Sequence, residues 1–130
     1  MAIWGAPVAA PDHAARAVRA ALEMSAEVDR FRAELAAGTE FDIGVGVHTG
    51  EAVVGFLGSK DRLEYTAIGD TVNLASRIEG ETKNQKCRIL VSDATYAACQ
   101  NSFDFKPRSP FNAKGRSEAT PLFEPVGERK

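Results

Sequence analysis

The sequence predicts an α+β sandwich, with helices laid on one face of a mostly antiparallel sheet. Three observations predict it. Apolar residues recur at helical spacing over one long early stretch. Elsewhere, short apolar or alternating runs are separated by turn residues such as Gly58-Ser59-Lys60-Asp61. The two kinds of run alternate irregularly, with hairpins between them, and not as a regular strand–helix–strand series.

Taken in order, Met1 to Gly5 is an apolar run closed by Gly5 and Pro7 and predicts a strand, with Trp4 in the core. Asp12 is placed to cap a helix. Ala14, Val18, Ala21, Val28, Phe31 and Leu35 then share one helical face, with charged residues mostly between them, and Gly38 predicts the stop. Phe41, Ile43, Val45 and Val47 alternate with Asp42, Gly44, Gly46 and His48, which is a strand with one packed face. Ala52 to Leu57 and Leu63 to Ile68 add two more strands, and the three predict a meander. Asp70 is read as the cap of a helix ending at Gly80, and Ser92 or Asp93 as the cap of a short helix through Ala98 that follows the apolar strand Arg88 to Val91. Phe103 to Pro107 and Leu122 to Val126 read as a closing strand pair, leaving Gly127 to Lys130 frayed.

A chain of 130 residues suits one domain. Its net charge of −2, without a basic stripe, argues against nucleic-acid binding. Cys87 and Cys99 have no CxxC or histidine pattern around them, so zinc is not expected and a reduced, cytoplasmic setting fits. No run of about 18 apolar residues exists to span a membrane. His13 and His48 lack ligand partners at sensible spacing and read as structural.

The chemistry concentrates in E-Y-T-A-I-G-D-T-V-N-L-A-S-R-I-E-G, Glu64 to Gly80. A strand ends at Gly69, a helix begins, and Asn73 and Arg77 lie four apart on one helical face. An amide, a guanidinium and a helix N-terminus brought together suit an anionic group with spread-out charge. The alternative is a solvated Asn73 with Arg77 paired to a carboxylate such as Glu81. Thr66 could likewise be an ordinary β-branched strand residue, and Lys114-Gly115-Arg116 a solvated turn.

Glu64 to Gly80 resembles the signature of the class III adenylate and guanylate cyclases, in the residues Tyr65, Thr66, Gly69, Val72, Asn73, Ala75 and Arg77. M-A-I-W-G-A-P, G-V-G-V-H-T-G-E-A-V-V-G-F-L-G-S and Phe111 to Arg116 resemble other segments of that family, so the likeness runs from Met1 to Gly127. The resemblance implies a ferredoxin-like cyclase sandwich. It implies a bacterial-type adenylate cyclase that turns ATP into cyclic AMP and pyrophosphate in intracellular signalling. Arg77 resembles the arginine that stabilises charge on the α-phosphate, and Asn73 the asparagine that orients the ribose. Lys114 resembles the lysine that grips the terminal phosphates. Thr66 stands at the base-selecting position, where threonine goes with adenine.

Residues 1–127 resemble the C-terminal two-thirds of such a domain, with 128–130 a tail. The family's first strand and its two metal-binding aspartates have no counterpart here, and Asp12 and Asp42 do not match them. The resemblance therefore places the ligands of Mg2+ or Mn2+ upstream of this chain and makes the segment alone inactive. It also implies a head-to-tail homodimer, or pairing with a complete cyclase domain, in which this chain supplies the asparagine–arginine half of a composite site. The competing reading is a non-catalytic, cyclase-like dimerisation or regulatory module. A diguanylate cyclase is disfavoured, because no Gly-Gly-Asp-Glu-Phe hairpin is present.

Overall fold

The computed structural model describes residues 1–35, 41–112 and 118–129. Its elements are α1 (His13–Glu34), β1 (Val45–Val47), β2 (Val53–Ser59), β3 (Arg62–Ile68), α2 (Asp70–Gln85), β4 (Ile89–Ser92), α3 (Asp93–Cys99), β5 (Phe103–Phe111) and β6 (Thr120–Glu128). Four strands form one sheet in the order β1-β4-β6-β5, and β2 and β3 form a separate hairpin. Every pairing is antiparallel except β1 with β4. The α+β class is thus as expected.

The helices cover both faces of the larger sheet, not one. On one side Val18 and Ala21 of α1 pack with Ile89, Val91, Cys99 and Phe103. On the other, Leu74 and Ile78 of α2 pack with Leu90 and Leu122. Alternate residues of β4 therefore enter opposite cores, which is why all four of its residues are buried and why it reads as a continuous apolar run. The glycines of 44–47 follow from the same arrangement: a β-carbon at Gly46 would stand 2.7 Å from the carbonyl oxygen of Ala75, so α2 covers the face that the alternation left open.

The predicted meander does not form. Val45 N–H donates to Arg88 O, and β1 runs parallel to β4 while β2 leaves the sheet to pair with β3. The strand is also shorter than predicted at its start. Asp42 Oδ1 accepts the Ile43 N–H at 2.8 Å, so this side chain takes a donor that a strand would need. Met1 to Gly5 forms no strand, and Trp4 is 38% exposed.

Helix ends differ in informative ways. Asp12 holds the position before α1, but its carboxylate accepts from Arg16 Nε at 3.0 Å and not from a helix amide. That pairing holds the Asp12 carboxyl below its usual range. The first helix ends at Glu34, and Gly38 lies outside the described residues. The second helix runs through Gly80 to Gln85, where Lys86 adopts the left-handed conformation (φ 53°). An interior glycine costs about 1 kcal/mol; burial of Ile78 and Thr82 on either side of it offsets that. Ser92 does cap α3, accepting from the Thr95 N–H at 3.4 Å. Of the tail expected to be frayed, residues 127–129 are paired: β6 reaches Glu128, and Arg129 N–H donates to Ser102 O, while Lys130 lies outside the described residues. Cys87 and Cys99 are free thiols, both pushed upward by burial. No described helix is long and apolar enough to cross a membrane.

Candidate functional site

The strand–turn–helix segment is built around Gly69. This residue sits at φ 129°, ψ −179°, a region that only glycine enters without strain. It turns the end of β3 directly into α2. Contrary to the sequence reading, Asp70 is not the cap of the helix, which is Gly69, but occupies its first turn; a carboxylate there complements the partial positive charge of the helix start.

Leu74, Ile78 and Thr82 form the buried stripe of α2. Asn73 and Arg77 lie beside it, both exposed and one turn apart. Thr66 is half-buried on β3 opposite Gly55, on the hairpin face away from Val54 and Ala67, because successive strand residues point to opposite sides. The Lys114-Gly115-Arg116 loop lies outside the described residues.

A cleft of about 1060 Å³ opens between residues 1–6, α1, β1 and the flank of α2 that carries Thr71, Ala75 and Glu79. Thr66, Asn73 and Arg77 do not line it. Among the described residues, Asn73 and Arg77 stand together on an exposed helix surface. Around the same helix start, sequence reading missed a set of hydroxyl contacts: Thr71 Oγ1 donates to the Glu51 carbonyl, and His48 Nδ1 lies 2.7 Å from Ser92 Oγ. Their only local signal is the density of Thr, Ser and His at turn positions.

No group of three or more His, Cys, Asp or Glu side chains converges to hold a metal among the described residues. Those residues do not fit a divalent-ion site.

Comparison with known proteins agrees with this architecture. The family model "Adenylate and Guanylate cyclase catalytic domain" matches residues 1–123. Adenylate cyclase 1 of Rhizobium meliloti (strain 1021) is 47% identical over 128 residues, which is 97% of this chain and 19% of that protein. The solved guanylyl cyclase Cya2 superposes with a TM-score of 0.86 at 30% identity, over 98% of this chain and 64% of that one. The adenylyl cyclase CyaB from P. aeruginosa superposes at 0.79 with 28% identity, over 98% and 66%. The chain thus spans about a fifth of the curated relative and about two-thirds of the solved chains. Sequence match and backbone match cover the same ground, and on both counts this chain belongs to the family of adenylate and guanylate cyclase catalytic domains.

Proposed function

We propose that this chain works as part of an adenylate cyclase, converting ATP to cyclic AMP and pyrophosphate within a cytoplasmic signalling protein, and that it contributes Asn73 and Arg77 to a composite site. The observation that carries this reading is the placement of these two side chains one turn apart on the exposed flank of α2, just past the Gly69 turn.

The chemistry asks little covalent work of the protein. The ribose 3′-oxygen attacks the α-phosphate and pyrophosphate departs. Catalysis is then mostly positioning and stabilisation of developing charge. Arg77 offers a planar fork of N–H donors to the α-phosphate oxygens as charge accumulates on them. Asn73 holds the ribose, so that its 3′-oxygen stays in line. Thr66 offers a hydroxyl that can donate to or accept from the adenine edge. Lys114 reaches the terminal phosphates. Divalent ions would supply charge neutralisation when bound. Their ligands belong outside these 130 residues, in keeping with residues 1–127 acting as roughly two-thirds of a complete catalytic domain.

An exposed half-site needs a second surface. The β2–β3 hairpin offers apolar side chains to solvent, among them Val53, Phe56, Leu63 and Ile68, with Phe56 and Tyr65 in edge-to-face contact at 5.3 Å. An apolar patch of this kind suits an interface. It supports a head-to-tail pairing with a second copy or with a complete cyclase domain. The test is cyclic AMP production by the full-length protein from ATP and Mg2+ or Mn2+, with Arg77→Ala beside it. Turnover unaffected by Arg77→Ala would overturn the assignment.

A further inference from the structure

Two buried hydroxyls, Ser92 and Thr95, are fully enclosed and must find partners. Ser92 Oγ accepts the Thr95 N–H and lies 2.7 Å from His48 Nδ1. Thr95 Oγ1 lies 2.8 Å from Thr49 Oγ1 and contacts Val47 O at 3.5 Å. The end of β1, the start of α3 and residues 48–49 are therefore one hydrogen-bonded unit.

The other end of that turn is tied to α2. Thr71 Oγ1, in the first turn of the helix, donates to the Glu51 carbonyl. Between the two ties sits Gly50. A β-carbon there would stand 2.9 Å from Thr71 Oγ1 and 3.7 Å from His48 Nε2, so the imidazole and the threonine close on it from two sides. The helix has no side-chain cap of its own, because Gly69 occupies that position. Its first turn is tied from outside by the bond from Thr71 to Glu51, at the far end of the turn that His48 and Thr49 anchor to Ser92 and Thr95.

We infer that His48 is a positioning residue, which registers the first turn of α2, and with it Asn73 and Arg77, against the buried Ser92–Thr95 pair. The inference rests on the role given to Asn73 and Arg77 above. A helix moves as a unit, so a shift at Thr71 carries through to Arg77, six residues or about 1.7 turns on. Loss of positioning by as little as an ångström can cost about 100-fold in rate.

The experiment is amide hydrogen exchange on the full-length protein, read on the peptide covering residues 69–78, with residues 14–30 of α1 as the internal control. His48→Leu and the near-isosteric Thr71→Val should each raise exchange in 69–78 about tenfold, the equivalent of one hydrogen bond, and leave α1 unchanged. His48→Asn, whose amide can stand where Nδ1 stood, should restore protection. Turnover should follow: kcat down about 10–100-fold in His48→Leu with KM nearly constant, and recovery in His48→Asn. Unchanged exchange in 69–78, or an equal rise in α1, would overturn the inference, as would a kcat that stays at wild type while exchange rises. If the wild-type protein turned over no ATP while exchange changed as expected, the reading of Asn73 and Arg77 would fail and the tie from His48 to α2 would stand.

Discussion

Arg88 Nε lies 2.7 Å from Asp42 Oδ1, and the Nη1 of the same guanidinium lies 2.9 Å from Asp29. Its Nη1 also donates to the carbonyl and hydroxyl oxygens of Ser25. One side chain at the head of β4 thus fastens α1 to the segment that enters β1. The Arg88 bond, followed by the Ile43 N–H, holds the Asp42 carboxyl below its ordinary range. A carboxyl lowered in the fold stabilises above its unfolded value and loses that contribution as pH falls through the folded one. The pair should therefore weaken below about pH 4. Asp42 is 56% exposed, so screening limits the effect to no more than about 1 kcal/mol. Melting temperature against pH should show this acid-side loss, and Asp42→Asn should flatten it. Arg88→Met should cost more, about 1–3 kcal/mol at neutral pH, because it removes the bonds to Asp29 and Ser25 together with the one to Asp42.

Gly69→Ala should destabilise the protein by about 1–3 kcal/mol. Nothing stands within 4 Å of where the new methyl would point, so the cost is backbone strain alone. Urea denaturation measures it. A change below a few tenths of a kcal/mol would mean that the β3–α2 turn does not require a glycine.

Much of this fold was legible locally, and the exceptions share a cause. The helical face of Ala14, Val18, Ala21 and Val28 and the cap at Ser92 depend on neighbours within a turn and appear as the pattern predicts, whereas Phe31 of that face is 47% exposed and Leu35 falls just past the helix. The partner of Val45–Val47 does not depend on neighbours. Val45 bonds to Arg88 across the sequence, and no local period distinguishes that from pairing with Val53. Asp42 shortened the strand through a side-chain bond that alternation cannot encode. Gly80 failed to stop α2 because burial of Ile78 and Thr82 outweighs a local preference. Of the candidate site, the exposed placement of Asn73 and Arg77 one turn apart was legible by spacing, while the roles proposed for them came from the family resemblance. The ties through Thr71 and His48 were not legible, since they join turns far apart in the chain.

In the full-length protein ATP should be used in preference to GTP, judged by the ratio of kcat/KM values, because Thr66 stands at the proposed base-reading position. Thr66→Cys should narrow or reverse the ratio. A GTP preference in the wild type would remove Thr66 from that role.

The fullest test joins the site to its assembly. Arg77→Ala should lower kcat far more than it raises KM, because Arg77 is proposed to meet charge that grows only in the transition state. The loss should be about 100–1000-fold, the usual cost of removing one such donor. Asn73→Ala should act in the same direction. If each site draws Asn73 and Arg77 from one protomer and its metal-binding carboxylates from the other, two inactive variants should complement. Arg77→Ala would be mixed with a variant of the full-length protein damaged only in its metal-binding carboxylates. Each hybrid dimer then holds one intact site and one doubly damaged site. At equal mixing about half the dimers are hybrids, so recovery should approach about a quarter of wild-type activity when subunits exchange freely and sites act independently. Arg77→Ala mixed with Asn73→Ala should give no rescue, since both lesions fall in the same half. A purely structural Arg77 predicts instead a lower melting temperature and no rescue in either mixture. Failure to complement while native gels show hybrid dimers would rule out the shared site.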